Sequence, residues 1–444
     1  MDKDKTVILG AGPCGIGAAW YLYKKGYSNW AIYERNPHVG GLSASFRDEK
    51  DFTWDIGGHV LFSHQKEFGE FLDEALDKKY LLHKRDSWIR IFDSWIPYPF
   101  QNNIHYLPKE KFELCLRGLS KRSRKDLKAK NFKQWLTANF GRSIARYFMI
   151  PLNKKMWSYP LEKMSTEWIA ERISPINLEE IKKNASNRDK ISNNWGPNSN
   201  FIYPVYGGVG EVFRRAAARF KDKLKLGYQA CKIDLDSKKI FFKNGEEKRY
   251  DILINTSSIR NLVNMSYPKN RQLIKLAERL KYNGIIIIGI GLRRKREDRR
   301  SWMYFPEQKY PFFRVTNLSN YSVHNVPNGD VQRYSSLLIE IIFPKRGTVN
   351  KKSLIRETIN SLIDTGLLLE SDRELIESIF CFEAEYAYPI PTLDRDRTLD
   401  KIDGFLKRYN VFSRGRFGSF RYERGNMDDC FMQGYAVAKQ IVDQ

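Results

Sequence analysis

The chain opens on TVILG, a short apolar run that predicts a buried strand, and passes through GAGPCGIG into an apolar helix. A second apolar run, NWAIYE, predicts the next strand and ends on Glu34. Between residues 66 and 200 the period changes: EFGEFLDEAL, KNFKQWLTANFG and RSIARYFMIPLNKKMW carry apolar residues at helical spacing, broken by loops rich in Asn and Pro. That stretch predicts an inserted helical domain. Glycine-rich turn chemistry returns in IYPVYGGVG at 202–210, ahead of two alternating strands joined near Asp236 and Ser237 and the apolar DILINTSSI. From about 283 to 390, SSLLIEIIF, FFRVTNL and SIFCFEAEYAY alternate as an antiparallel sheet does, with one helix near 353–366. The final stretch, GNMDDCFMQGYAVAKQIV, is a loop feeding a helix. The expected architecture is α/β, with one domain assembled from residues 1–82, 203–262 and 405–444, a mainly helical domain over 83–202, and an antiparallel sheet domain over 263–404. No internal repeat or low-complexity tract is present.

Gly10, Gly12 and Gly15 stand in GxGxxG spacing at the first strand-to-helix junction, with Pro13 and Cys14 in the same loop. Glycines there permit a tight turn and a close approach of backbone to a pyrophosphate, which a helix N-terminus attracts. Glu34, nineteen residues past Gly15, is placed to accept hydrogen bonds from an adenosine ribose. GxGxxG alone also describes a glycine turn with no ligand, but strand, helix, second strand and terminal acid together predict a Rossmann-like dinucleotide domain. GGLSAS, with Gly41, Leu42 and Ser43, adds a second glycine doublet that a nicotinamide-only fold does not need, and this favours FAD. In DIGGHVLFSH, Gly57 and Gly58 let backbone approach a bound ring, and His59 follows where it can face that ring. The last helix, beginning beside Asn426, Met427 and Asp428, is placed to turn its N-terminal dipole toward the anionic N1 of a reduced flavin.

With 444 residues, 42% of them apolar, the chain fills two or three cores. Its longest apolar stretch, GIIIIGIGL at 284–292, is too short to span a bilayer, and MDKDKTVILG lacks the apolar region of a signal peptide, so a cytoplasmic protein without a transmembrane segment is expected. Five scattered cysteines show no CxxC spacing and predict neither metal nor disulfide. The net charge of +24 includes two clusters, KRSRKDLKAK at 121–130 and RRKREDRR at 293–300, read as a solvated helix face and a turn. No recognition motif accompanies that charge, so nucleic acid is not an expected partner. Single arginines among aromatics, in FFRVTNLSNY and SRGRFGSFRYERGN, suit a diphosphate clamp.

GAGPCGIGAA, DIGGHVLFSH, WIPYPFQNNI, LNKKMW, NWGPN, WMYFPE with FFRVTNLSNY, AYPIPTLDR and SRGRFGSFRYERGN, in this order, resemble the flavin-dependent UDP-galactopyranose mutases, the eukaryotic-type branch in particular, over nearly the whole chain. The resemblance implies an FAD domain, a helical domain and a six-stranded antiparallel sheet. It implies interconversion of UDP-galactopyranose and UDP-galactofuranose with no net redox, N5 of the reduced flavin acting as nucleophile at the anomeric carbon. NADPH or NADH is the implied transient reductant, although no second dinucleotide motif is visible. Monomer and homodimer are both compatible with it.

Carried over by position, Arg172 and Arg314 resemble the diphosphate clamp, with Tyr304, Tyr388 and Tyr422 donating to it. Asn198 and Asn426 fall at matching substrate positions. Tyr98, Phe100, Gln101, Phe148, Asn153 and Trp157 fall where the family holds uridine and the neighbouring wall, although Phe148 and Trp157 also fit a simple core. His59 matches the histidine of the flavin loop, in an orienting or proton-transferring role, with Phe62 after it. Arg416 matches an arginine near flavin and substrate, and Gly10, Gly12, Gly15, Glu34, Gly41 and Asp428 match FAD contacts. His64 is unassigned, and the remaining histidines read as solvent or loop residues. The chain departs from the family pattern at Leu152, Ile390 and Met427, which leaves room for another nucleotide sugar (UDP-N-acetylgalactosamine, an arabinose or a deoxyhexose). An amine-oxidase-like FAD oxidoreductase shares the same cofactor segments and would have no use for an arginine clamp.

Overall fold

The computed structural model describes residues 5–63, 65–121, 129–169, 172–185, 199–343 and 349–443. Strand Thr6–Leu9 lies at the centre of a five-stranded parallel sheet, flanked by Trp30–Glu34 and Ile252–Asn255, with Leu224–Leu226 and Val411–Ser413 at the edges. It is buried along its whole length, as a parallel strand covered on both faces must be, which explains why it reads as a continuous apolar run. Helix Pro13–Lys24 crosses helix Met427–Asp443 at very short range: a Cβ on Gly17 would lie 2.2 Å from the Phe431 carbonyl oxygen, and one on Gly434 would lie 1.9 Å from that of Cys14. This crossing sets the first turn of the last helix beside the glycine loop.

Seven strands form the second sheet, in the order Ile376–Pro389, Tyr282–Leu292, Ser335–Phe343, Arg314–Asn317, Trp302–Tyr304, Ser87–Ile91, Ser94–Pro97. The expected sheet of six antiparallel strands is thereby corrected, because Trp302–Tyr304 runs parallel to Ser87–Ile91. The last two strands come from the stretch expected to be mainly helical. Their hairpin turns at Phe92 and Asp93, both with φ near the left-handed region (53° and 54°), the conformation that a two-residue hairpin needs. Asn-Gly would have announced that turn; Phe-Asp does not. Helix Lys351–Asp364 covers the outer face of this sheet through Ile359 and Leu362.

The third body is built on helices Lys109–Ser120, Phe132–Ile144 and Ile150–Trp157, packed around Phe132, Leu136, Phe140, Trp157 and Trp168. Asn131 starts the middle helix by accepting from the Gln134 amide. Arginines of the basic run 293–300 are ion-paired. Arg294 pairs with Asp372 (2.9 Å), and Arg296 and Arg300 pair with Asp298 (3.5 and 2.8 Å). Among the described residues no helix is long and apolar enough to cross a membrane, no cluster of metal-ligating side chains occurs, and the five cysteines are free.

Candidate active site

A cavity of about 1380 Å³ runs from the parallel sheet to the seven-stranded sheet. At its first end lie Gly10, Gly12, Pro13 and Cys14, with Glu34, Gly41, Leu42 and Ser43 beside them. Helix Pro13–Lys24 has no side-chain cap at Gly12, so the N–H groups of its first turn lack the partner that a capping residue would supply. Gly10 has φ 101°, and a Cβ there would lie 2.4 Å from Thr256 Oγ1. Gly15 does not line the cavity; its missing Cβ would sit 1.8 Å from the Gly10 carbonyl oxygen, so it serves the helix-to-turn packing. Glu34 is buried, one carboxylate oxygen accepting from the Ala11 amide (2.8 Å) and the other from the Asn36 amide and side chain (2.8 and 2.7 Å), so the first oxygen retains an acceptor site.

In the middle of the cavity, Gly58 and His59 form the wall, with Phe62 and Trp302. Gly57 (φ 100°) stands behind, over Glu340. The Gly58 amide donates to Glu340 Oε1 (3.0 Å), and a Cβ on Gly58 would lie 2.6 Å from Trp302 Nε1 and 2.3 Å from Thr316 Oγ1. Asn426, Met427 and Asp428 close the wall at the start of the last helix. His59 Nδ1, Trp302 Nε1 and Asp428 Oδ1 are buried without a hydrogen-bond partner among the described residues. Such atoms are costly unless a bound group meets them, and a polar, planar ring system in this wall would do so; the residues fit a flavin. Burial pulls the His59 pKa down to about 4, and burial with Asp429 nearby lifts that of Asp428 to about 6.

Beyond Gly58 the cavity wall carries Arg172, Arg314, Arg416 and four tyrosines, Tyr98, Tyr304, Tyr388 and Tyr422. Arg314 is held in a bidentate pair, Nε and Nη2 donating to the two oxygens of buried Glu340 (2.6 and 2.7 Å). Arg172 donates to Asn426 Oδ1 (2.9 Å) and to the carbonyls of Tyr422 and Glu423 (3.3 and 2.9 Å), with Asp429 at 3.8 Å. Arg416 donates to the carbonyls of Ala387 and Gly425 (2.9 and 2.8 Å) and lies over the rings of Tyr388 and Tyr422. Burial pushes the Tyr98 and Tyr388 phenols upward, so both stay protonated.

Comparison with known proteins decides the family. The model for flavin-containing amine oxidoreductases matches residues 13–324. A solved structure of reduced UDP-galactopyranose mutase superposes with a TM-score of 0.94 at 39% identity, covering 100% of this chain and 94% of the other. The chain belongs to the UDP-galactopyranose mutase family, within the flavin-containing amine oxidoreductases. A fatty acid isomerase of P. acnes (TM-score 0.66, 15% identity, 98% of each chain) and cyclohexylamine oxidase of Brevibacterium oxydans (TM-score 0.69, 15% identity, 99% of each chain) share the fold alone. The polyenoic fatty acid isomerase of Ptilota filicina is 41% identical over 61 residues, a match spanning 14% of this chain and 12% of that enzyme.

Several residues expected at the substrate wall are packed behind the cavity lining. Phe100, Gln101, Phe148, Asn153 and Trp157 do not line the cavity. Phe100 stacks on Phe148 (4.5 Å between ring centroids), and Gln101 donates to the Ser174 carbonyl (2.8 Å). Asn153 donates to the Met149 carbonyl and accepts from the Trp157 indole (2.8 and 3.1 Å). The physical reason is that helical spacing marks a buried face without saying whether protein or ligand covers it. Ile390 and Leu152, two of the three departures, pack into the same helical core. Asn198 and His64 lie outside the described residues. His105, expected near solvent, is buried.

Sequence reasoning missed Glu340, Trp302 and Arg85, which lies over the Tyr98 ring (4.8 Å). Glu340 had a signal: SSLLIEIIF puts one acid inside a buried apolar strand, where it must find a partner.

Proposed function

We propose that the protein interconverts UDP-galactopyranose and UDP-galactofuranose. The observation that carries this reading is the sharing of one cavity by an FAD cradle and a lobe of arginines and tyrosines, Arg172 and Arg314 with Tyr304, Tyr388 and Tyr422. An amine substrate offers no anion to a guanidinium group and a fatty acid offers one carboxylate, whereas a diphosphate offers acceptors to both arginines at once.

In this reading, Gly10, Gly12, Glu34 and the first turns of the two glycine-crossed helices hold FAD. Reduced FAD supplies N5 as the nucleophile at the anomeric carbon, with no net redox change over the cycle. Arg172 and Arg314 hold the diphosphate of UDP as leaving group and keep it for the return step, and the phenols of Tyr304, Tyr388 and Tyr422 donate to it. Burial keeps the His59 imidazole neutral at physiological pH, so it orients the ring system rather than acting as the resident acid. NADPH or NADH is the proposed reductant.

Incubation of pure protein with UDP-galactofuranose, with and without dithionite, followed by chromatography, tests this. Formation of UDP-galactopyranose only under reduction is the expected result. An oxidised product with oxygen uptake would replace the mutase with an amine-oxidase-like oxidoreductase, and faster conversion of another UDP-sugar would change the substrate.

A further inference from the structure

Helix Ile150–Trp157 contributes no residue to the cavity wall, yet it grips elements that do. Lys155 reaches the turn between strands Trp302–Tyr304 and Arg314–Asn317, its Nζ donating to the carbonyls of Phe305 (2.9 Å) and Phe312 (2.8 Å). Phe305 follows Tyr304 directly, and Phe312 stands two residues before Arg314. Tyr304 and Arg314 are register partners, and the Phe305 amide donates to the Phe313 carbonyl (2.9 Å). The lysine therefore closes the hairpin from which both cavity residues project. At the helix's other end, the carbonyls of Met156 and Trp157 accept from Asn283 Nδ2 (3.1 and 2.8 Å), and Asn283 Oδ1 accepts from the Tyr388 amide (3.1 Å). The Trp157 ring stands edge-on to Tyr388 and Tyr422, 6.0 and 4.9 Å between centroids.

We propose that Lys155 is a positioning residue for diphosphate binding, acting through the hairpin that sets Tyr304 and Arg314 rather than by touching substrate. This rests on the diphosphate assignment made above. The turn it holds is buried through Phe305, Tyr310, Phe312 and Phe313, and two of its residues, Pro306 and Pro311, have no amide to donate to nearby carbonyls. Keeping an amine in such surroundings is unfavourable unless carbonyls meet it. Burial draws the Lys155 pKa down to about 7 against the opposing charge of Glu307.

The test is calorimetric titration of the purified flavoprotein with UDP, which needs no turnover. Lys155→Met keeps the stem and removes both donated bonds. It should weaken UDP binding about tenfold, the size of one charge-assisted hydrogen bond, with flavin content unchanged. Lys154→Met, at the exposed neighbouring position, should leave affinity unchanged. In a Tyr304→Phe background the effect of Lys155→Met should shrink, because the two act along one route. UDP affinity unaltered by Lys155→Met, or an equal loss in both backgrounds, overturns the inference while leaving the proposed function in place. Should Lys155→Met fail to accumulate as a flavoprotein, Lys155→Gln goes through the same pair of titrations, with a loss that shrinks beside Tyr304→Phe supporting the inference and any other result overturning it. Wild type that fails to bind UDP at all overturns the function and this inference together.

Discussion

Arg314 and Arg172 face the same cavity but are held in opposite ways. Arg314 sits on a central strand with its charge matched by a carboxylate that is itself 2% exposed at the side chain, and the same carboxylate accepts from the Gly58 amide. Arg172 is fixed by three neutral acceptors and only distantly by Asp429 (3.8 Å). The first arginine is built into the fold and arrives largely neutralised. The second brings net positive charge to whatever anion enters. The proposed clamp of two arginines would therefore divide its labour, one arm giving geometry and the other giving field.

The largest expected effect comes from breaking the built-in arm. Glu340→Ala leaves the Arg314 guanidinium and the Gly58 amide without their shared acceptor and should cost about 3–5 kcal/mol of stability, as loss of one partner of a buried pair does. Denaturant unfolding reads this, and a midpoint within error of wild type would show that Glu340 is dispensable. Next, Arg172→Ala should weaken UDP binding by about 1.5–3 kcal/mol with a modest change in unfolding, whereas Arg314→Ala should lose more stability than Arg172→Ala. Proportional losses of affinity and stability in both variants would erase the distinction.

Trp302→Phe removes the indole N–H beside Gly58 while keeping a ring under Arg314, and should raise the flavin dissociation constant by about 1 kcal/mol. Equal retention of flavin in variant and wild type would assign that N–H to another partner. The smallest effect concerns His59. Its folded pKa is about 4 against 6.5 when unperturbed, so between those values the unfolded chain takes up a proton that the folded chain refuses. Acidification across that window therefore costs stability. Because buried Asp55, with a pKa raised to about 6, works in the opposite sense, the quantity to measure is the difference in melting temperature between wild type and His59→Asn across that range. A difference that does not change with pH would place the imidazole in a solvated setting.

What the sequence reveals of the site follows the range of the interaction. The glycine loop, Glu34 and the Gly58–His59 segment are local patterns whose spacing is dictated by turn and helix-terminus geometry, and they line one cavity together. Arg314 is legible from its aromatic setting, but its partner is 26 residues away on another strand, and the lone acid of SSLLIEIIF announces only that a partner is needed, not which residue supplies it. Trp157 and Asn153 are placed at the wall by the family resemblance, and periodicity cannot distinguish a face turned to ligand from one turned to tyrosines. The Ser87–Pro97 hairpin hides behind an untypical turn pair.

The mutual indentation at Gly17 and Gly434 has a further consequence for biogenesis. These two contact points are about 400 residues apart along the polypeptide, so during synthesis the apolar helix that begins at Pro13 leaves the ribosome long before the surface that shelters it exists. A cofactor pocket closed by so distant a piece can mature only as a late event, and until then the emerging chain leaves the apolar surface of that helix uncovered.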